Sequence, residues 1–114
     1  MARPLPFTAP ALLAPMDSVT DPVFRDVVID RNPPDTLGGA FTEFARVNRG
    51  PISRRIIRHQ LGPRRHAAPV GLQIMGSEVE AMAQTARNAE EVGAPVVDIN
   101  FGCPAKGAIR TCAG

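Results

Sequence analysis

The chain has 114 residues and a formal net charge of +2, with 44% hydrophobic and 21% charged residues. These values fit one ordinary soluble domain and exclude a disordered or fibrous chain. No run approaches the ~18 apolar residues of a membrane span, and prolines interrupt the segment before Asp17, where a signal peptide would need an apolar stretch. We therefore expect a cytoplasmic protein that spans no membrane and whose two cysteines, Cys103 and Cys112, are free thiols.

Four short apolar runs, each bounded by Pro or Gly, predict buried parallel strands. The runs are Ala11–Ala14, Leu37–Phe44, Val70–Met75 and Val96–Phe101. Helical patterns separate them, at the roughly 25–30 residues per unit that suit a βα repeat. This alternation indicates an α/β fold with a parallel sheet, either doubly wound or closed into a barrel. A (β/α)8 barrel needs roughly 250 residues, so this chain would supply about half of one.

Three helices are predicted between these strands. The first begins at Asp21-Pro22, with Asp as the cap and Pro at the first helical position. Its expected apolar face is Val23, Phe24, Val27 and Val28. The second is expected to begin near Pro51, with its apolar face made of Ile52, Ile56, Ile57 and Leu61.

The third helix has the clearest signals. A capping box of Ser77 and Glu80 predicts its start, and Gly93 predicts its end. Its expected apolar stripe is Val79, Met82, Ala83 and Ala86.

Polar residues interrupt or follow every predicted strand near its carboxyl end, where parallel α/β folds bind ligands. They are Pro15-Met16-Asp17, Thr42-Glu43, Gln73 and the segment from Asp98 to Cys103. A buried amide without a partner costs roughly 1–3 kcal/mol, so Gln73 predicts either a ligand contact or an amide satisfied by neighbouring backbone.

Cys103 follows a strand through Gly102 and precedes Pro104, so its thiol is expected at the mouth of the fold. With an ordinary pKa of roughly 8.5 it would be protonated at neutral pH and able to donate a proton. The alternative is a small core residue. No dinucleotide fingerprint, P-loop or metal-ligand spacing is present, and His59 and His66, without acidic neighbours in the sequence, are expected at the surface.

Taken in order, these segments resemble the tRNA-dihydrouridine synthases. The resemblance is carried by Leu13–Met16, Val19–Pro22, Phe24-Arg25, Thr42–Phe44, Gln73 with Gly76, and Asp98–Lys106. Thr42–Val47 and Ile56–His59 are most similar to the C-type subgroup, which reduces a D-loop uridine, usually at position 16. Ser18 stands where the family usually has Gly, Ile109 where Asn is usual, and Cys112 where an aliphatic residue is typical.

The resemblance implies that residues 1–114 are the amino-terminal half of an FMN-binding (β/α)8 barrel, with about four βα units, whose remainder and helical RNA-binding domain are absent. It implies a monomeric full-length enzyme without a metal, in which NADPH reduces the flavin and the flavin passes hydride to C6 of a tRNA uridine. The roles it implies are proton donor for Cys103, flavin contacts for Pro15, Met16, Asp17 and Gln73, and substrate contacts for Asn100 and Lys106.

Seven arginines cluster between residues 46 and 65, namely Arg46, Arg49, Arg54, Arg55, Arg58, Arg64 and Arg65. We interpret Arg54, Arg55 and Arg58 as contacts to tRNA phosphates; the alternative is a solvated helix face.

Two other functions stay open at this point. One is another FMN-dependent barrel oxidoreductase, such as a dihydroorotate dehydrogenase. The other is a truncated product whose half-barrel cannot close and is inactive.

Overall fold

The computed structural model describes residues 3–102. Within that range lie five strand segments and three helices. In chain order they are β1 (Leu12–Leu13), α1 (Pro22–Asp30), β2 (Gly39–Phe41), β3 (Ala45–Val47), α2 (Arg54–Leu61), β4 (Val70–Gly76), α3 (Val79–Glu91) and β5 (Val97–Ile99).

All the strand pairs are parallel: β1 pairs with β2, β4 pairs with β2 and β3, and β5 pairs with β4. Ala40 lies opposite Val70 and Ala45 opposite Ile74, so β2 and β3 form one strand with one extra residue between its halves. Such an insertion is a bulge, which bends a strand and redirects its side chains. The predicted single strand Leu37–Phe44 is therefore wrong in extent, because the pairing begins at Gly39, breaks at Thr42–Phe44 and resumes.

Thr42 closes the hydrogen bonding across the bulge. Its N–H donates to the carbonyl of Gly71 (2.9 Å), and its hydroxyl Oγ1 accepts from the N–H of Gln73 (3.1 Å). The hydroxyl thus replaces the backbone carbonyl that a regular ladder would supply. Thr42 is only 1% exposed, so water could not replace its hydroxyl as the acceptor for the N–H of Gln73.

The helices pack on one face of the sheet. Ile57 of α2 and Ala89 of α3 lie in one apolar cluster with Val47, Leu72 and Ile74. Ile29 of α1 lies in a second cluster with Leu37, Ala40 and Ala68. With the strands adjacent in chain order and the helices on one side, the described residues form three consecutive βα units of a (β/α)8 barrel and the strand of a fourth, as predicted, and not a doubly wound sheet.

Helix α1 begins as predicted but buries a different face. Asp21 Oδ1 accepts from the N–H of Phe24 (2.8 Å), and Pro22 occupies the first position. The predicted apolar face is wrong at Val23 and Val27, which are 71% and 45% exposed, whereas Val28 packs partly buried against the second cluster. The side presented to the second cluster instead carries Ile29, and Arg25 is buried through hydrogen bonds described below.

Helix α2 is capped by Ser53, and of its predicted apolar residues only Ile57 is fully buried, while Ile56 is 49% exposed. Its Ile52 and Leu61 pack partly buried against the core.

Helix α3 begins at Val79, and its N-cap is Glu78, whose side chain makes no capping hydrogen bond. The predicted Ser77–Glu80 capping box is therefore wrong. Of the predicted stripe, Val79 is wrong, since it is 78% exposed, whereas Met82 packs partly buried against the core and Ala83 and Ala86 are half-buried. The helix is turned so that Thr85 Oγ1 accepts from the Ile52 N–H (3.0 Å) and Asn88 Nδ2 donates to the Ile52 carbonyl (2.8 Å). Its end is as predicted, with Gly93 at a φ of 88°.

Aromatic rings fill the inner face of the sheet near the amino ends of the strands. The ring of Phe7, from the segment before β1, meets that of Phe41 edge-on at 5.8 Å between centroids. Two glycines make room for them: a Cβ on Gly39 would lie 2.7 Å from the Phe7 ring, and one on Gly71 2.9 Å from the Phe41 ring. The inner face is thus closed at this end, and its polar residues lie towards the other.

No helix within residues 3–102 is long and apolar enough to cross a membrane.

Candidate functional site

The polar residues of the inner face meet where β4 and β5 pair. Gln73 lies directly opposite Asp98 in the register, and its neighbours Leu72 and Ile74 point into the helix-side core. Since side chains alternate along a strand, Gln73 and Asp98 project to the inner face. Gln73 is only 6% exposed, so its amide needs partners.

A directional series of hydrogen bonds supplies them. The N–H of Gly102 donates to Asn100 Oδ1 (2.9 Å), Asn100 Nδ2 donates to Gln73 Oε1 (3.3 Å), and Gln73 Nε2 donates to Asp98 Oδ2 (2.6 Å). We call these four residues the amide relay. The partners of Gln73 are side chains, so the alternative of an amide satisfied by neighbouring backbone is wrong. Asp98 was expected at this strand end, without a role of its own.

The loop after β1 is tightly folded. Thr20 Oγ1 accepts from the N–H of Met16 (3.0 Å), and the carbonyl of Met16 accepts from the N–H groups of Val19 (3.1 Å) and Thr20 (3.0 Å). Thr20 is fully buried, whereas Met16 is 39% exposed and Asp17 is exposed. The proposed flavin-contacting residues Pro15, Met16 and Asp17 therefore stand on an internally bonded turn.

Ser18 has a φ of 62°, in the left-handed region that glycine adopts most easily. A Gly at this position, as the resemblance implies, would adopt this conformation without strain. The N–H of Ser18 donates to Glu43 Oε2 (2.6 Å), which ties the loop to the bulge of the next strand.

The bulge connects the two parts of the site. Glu43 holds the first loop, and its neighbour Thr42 accepts the N–H of Gln73. Thr42 and Glu43 were expected as polar residues at a strand end, without a function for either. The missing signal was the bulge itself, which single-sequence periodicity does not show.

Arg25 connects the first loop to helix α2. The guanidinium is buried and donates to the carbonyls of Thr20 (2.6 Å), Gln60 (2.7 Å) and Leu61 (3.0 Å), while its Nε has no partner. Burial lowers the pKa of Arg25, and the nearby carboxylates of Asp26, Asp21 and Glu43 oppose that change. The residue thus joins the first loop to the carboxyl end of α2.

The arginine-rich segment divides into paired and unpaired residues. Arg54 forms an ion pair with Glu91, Arg65 with Asp26, and Arg46 stacks over the Phe44 ring at 5.3 Å. Among residues 3–102, no carboxylate pairs with Arg55 or Arg58. Both are exposed and lie three positions apart on α2, on the side away from Ile57.

The two histidines differ. His59 is exposed, as predicted. The surface prediction for His66 is wrong: its ring is 17% exposed and contacts Asp26 Oδ1 (3.1 Å) and Asp30 Oδ1 (3.5 Å). Those carboxylates lie on α1, distant in sequence, so a search along the chain could not find them. In the described part of the chain, no group of three or more His, Cys, Asp or Glu residues is arranged so that it could hold a metal ion.

One cavity lies away from this site. It measures about 380 Å³ and lies between α1, the segment before β4 and the segment before β5, beside Arg25, Arg65 and His66. A second cavity of about 220 Å³ opens at the carboxyl ends of β3 and β4, beside Arg46, Met75 and Glu78. We place the candidate site at the carboxyl ends, because the amide relay and the first loop are there.

The structure therefore brings Gln73 and Asn100 into contact and links Pro15–Asp17 to them through the bulge. Cys103 and Lys106, the predicted proton donor and substrate contact, lie outside the described residues.

Comparison with known proteins agrees with this architecture. Residues 12–114 match the sequence model of the dihydrouridine synthase (Dus) family. The chain is 37% identical over 109 residues to the tRNA-dihydrouridine(16) synthase of Shewanella oneidensis, covering 90% of this chain and 34% of that protein. It is 36% identical over 104 residues to the tRNA-dihydrouridine(16) synthase of Aquipseudomonas alcaligenes, covering 82% and 31%. The chain spans about a third of the length of these curated relatives. With the family model matching almost the whole sequence, the chain belongs to the dihydrouridine synthase family.

Proposed function

We propose that this chain forms part of the flavin- and uridine-binding mouth of a cytoplasmic tRNA-dihydrouridine synthase that uses NADPH. The proposed substrate is a D-loop uridine, at position 16 as in the names of the relatives. The observation that carries the proposal is the amide relay, which fixes the carboxamides of Gln73 in β4 and of Asn100, three residues before Cys103, against each other. Membership of the Dus family argues against the alternative of a dihydroorotate dehydrogenase.

The residues present fit the ring of FMN. Gln73 uses one N–H and one lone pair within the relay, which leaves it a second N–H and a second lone pair. A group that both donates and accepts suits the paired N–H and C=O of the flavin's pyrimidine edge. Pro15, Met16 and Asp17 stand on the internally bonded first loop, which can keep its shape against a planar ring.

The chain's own residues would position the substrate and supply the proton. When bound, reduced FMN supplies hydride to C6 of the uracil ring. Cys103 donates a proton to C5, since an ordinary thiol is protonated at neutral pH. The side-chain oxygen of Asn100 accepts a hydrogen bond from the N–H of Gly102, and so fixes the backbone immediately before Cys103. Asn100 and Lys106 are the proposed substrate contacts.

Recognition of tRNA is assigned to α2. Exposed arginines without an ion pair are available to phosphates, which favours Arg55 and Arg58 over Arg54, already paired with Glu91. Two of the basic residues, Arg54 and Arg55, open the helix, where the helix dipole disfavours cations, so their position is not explained by helix stability. The target base must also leave its stack to reach a buried site.

The test uses a full-length protein, meaning one that carries this chain together with the sequence that its relatives have beyond it. Purified, it should show a flavin visible spectrum and convert uridine to dihydrouridine in unmodified tRNA with NADPH. Mapping the modified nucleotide should place it at position 16. A protein that binds FMN and leaves tRNA unmodified while reducing a free pyrimidine would contradict the proposed substrate.

The 114-residue chain by itself should neither retain FMN nor modify tRNA. Among the described strands, the outer edges of β1 and β5 are unpaired, and such barrels hold a cofactor phosphate with loops after strands seven and eight. Size-exclusion chromatography and a visible spectrum check this, with the full-length protein as the control. A yellow monomer with stoichiometric FMN would show that the half-barrel suffices.

A further inference from the structure

We infer that Asp98 is a positioning residue: its carboxylate fixes which way the Gln73 carboxamide points and thereby sets the hydrogen-bonding pattern offered to the flavin. This inference rests on the proposed function, because it assigns Gln73 to the cofactor. The observation behind it is the direction of the amide relay, in which every bond donates towards Asp98.

A carboxamide alone has two orientations, related by a flip that exchanges its oxygen and its NH2 group. A flipped Gln73 would present its oxygen to Asp98, and an ionised carboxylate only accepts hydrogen bonds. The flip would therefore place two acceptors in contact at the 2.6 Å that now separates Gln73 Nε2 from Asp98 Oδ2. Because its acceptor is charged, the observed hydrogen bond is stronger than one between two neutral groups.

The other end of the relay imposes the same direction. The N–H of Gly102 can only donate, so Asn100 must present Oδ1 to it and Nδ2 to Gln73. The Asn100 contact is longer, 3.3 Å against 2.6 Å, and Gly102 is exposed, so water can compete there. Asp98 is therefore the stronger of the two anchors.

A purely structural role for the Asp98 side chain has little support. Strand β5 is held to β4 by backbone pairing, with the N–H of Asn100 donating to the Ile74 carbonyl (2.9 Å). In the described part of the chain, no cation pairs with Asp98. The side chain that packs β5 into the core is that of Val97. What the carboxylate does contact is the amide of Gln73.

The experiment is a double-mutant cycle in the full-length protein, with Asp98→Asn, Gln73→Ala and the pair together. The Asp98→Asn variant keeps the shape of the side chain and removes its acceptor-only character, so both orientations of Gln73 become accessible. We expect its FMN dissociation constant to rise about tenfold, because one charge-assisted hydrogen bond no longer favours the binding orientation. The midpoint potential of bound FMN should shift as well.

In the Gln73→Ala background, Asp98→Asn should change the FMN dissociation constant by less than about twofold, because the residue through which Asp98 acts is gone. The exposed Asp35→Asn is the matched control for removal of a negative charge, and its melting temperature, FMN affinity and potential should equal those of the unmodified protein. Asp98→Ala serves as a second variant and should weaken FMN binding at least as much as Asp98→Asn.

Additive effects in the cycle, or an Asp98→Asn protein with unchanged affinity and potential, would overturn the inference. An Asp98→Asn protein that unfolds where Gln73→Ala folds would also overturn it, since it would give Asp98 a structural role. All these outcomes leave the proposed function intact. That function fails separately, if the unmodified full-length protein binds no FMN.

Discussion

The polar side chains of the amide relay are buried or half-buried and hydrogen-bonded, whereas the arginines of helix α2 are exposed. In the relay, each carboxamide is bonded on both sides, and Gln73 is 6% exposed. On α2, Arg55 and Arg58 are exposed and no described carboxylate neutralises them. Orientation in a low-dielectric site is what chemistry on a ring requires, whereas contact with a phosphate backbone requires only accessible charge. The difference favours a role in the flavin chemistry for the relay and a role in tRNA binding for α2.

The two regions are mechanically joined by Arg25. One guanidinium nitrogen donates to the carbonyl of Thr20 in the first loop, and another donates to those of Gln60 and Leu61 at the end of α2. A buried arginine satisfied by backbone carbonyls resists movement of either partner. The loop proposed to contact the flavin and the helix proposed to contact tRNA therefore share one support.

The largest expected effect separates chemistry from binding. In the full-length protein, Cys103→Ala should lower the rate of uridine reduction by about 10²–10⁴-fold, the usual contribution of a positioned general acid. FMN content, flavin reduction by NADPH and tRNA affinity should be unchanged, because the thiol acts only when the uracil ring accepts a proton. Stopped-flow flavin reduction and a tRNA modification assay measure the two steps. Loss of NADPH-driven flavin reduction would contradict the role assigned to Cys103.

Breaking the shared support should weaken both regions together. Arg25→Met removes the donor from one buried and two part-buried carbonyls. A buried carbonyl left unpaired costs about 1–3 kcal/mol, and water can reach the two part-buried ones, so the free energy of unfolding should fall by roughly 3 kcal/mol. Denaturant unfolding of the full-length protein measures this. The exposed Arg31→Met is the control and should cost under about 0.5 kcal/mol. Equal stabilities for the two variants would show that Arg25 is not a support.

Removing charge from the arginine helix should affect binding alone. The double variant Arg55→Ala/Arg58→Ala should weaken tRNA binding and reduce the slope of log affinity against log salt by about 0.7–0.9 for each phosphate that the protein no longer neutralises. Arg54→Ala, which removes an arginine already paired with Glu91, is the matched control and should have the smaller effect. FMN content and turnover at saturating tRNA should not change. An unchanged salt slope would favour the solvated helix face.

The order of the strands and the location of the polar residues could be predicted because both depend on local patterns. Apolar runs bounded by Pro and Gly identified four barrel strands, and Asp21-Pro22 identified the start of α1. Periodicity predicted the apolar faces of α1 and α3 only in part, with Val28 and Met82 against the core but Val23 and Val79 exposed. Arg25, Thr85 and Asn88 are polar residues buried by hydrogen bonds to distant backbone, and these bonds rotate the helices away from their most hydrophobic side.

The site shows the same limit. Gln73 and Asn100 were predicted, since polar residues at strand ends are informative individually. Asp98, Thr42 and Glu43 act through partners on other strands, and only the register of β4 with β5 and the bulge between β2 and β3 bring those partners together. His66 was misplaced for this reason too, because its two carboxylates lie on α1.

The smallest expected effect concerns the first loop, at Ser18. Its φ of 62° costs an L-residue roughly 1–2 kcal/mol, and Gly removes that cost while losing about 0.5–1 kcal/mol of backbone entropy. The bond from the residue 18 N–H to Glu43 does not involve the side chain and persists in the variant. Ser18→Gly should therefore raise the free energy of unfolding by up to about 1 kcal/mol, with FMN affinity unchanged.

Two further variants at this position make the measurement decisive. Ser18→Ala has the same strained φ and should match the unmodified protein, whereas the β-branched Ser18→Val should be destabilised beyond it. Denaturant midpoints at equal unfolding slopes give the ranking Gly, then Ser and Ala together, then Val. If Gly instead ranks below Ala, the left-handed turn is not strained, and a side chain at residue 18 stabilises the protein relative to Gly. If Gly ranks first, this chain holds the geometry of the first loop at the expense of stability.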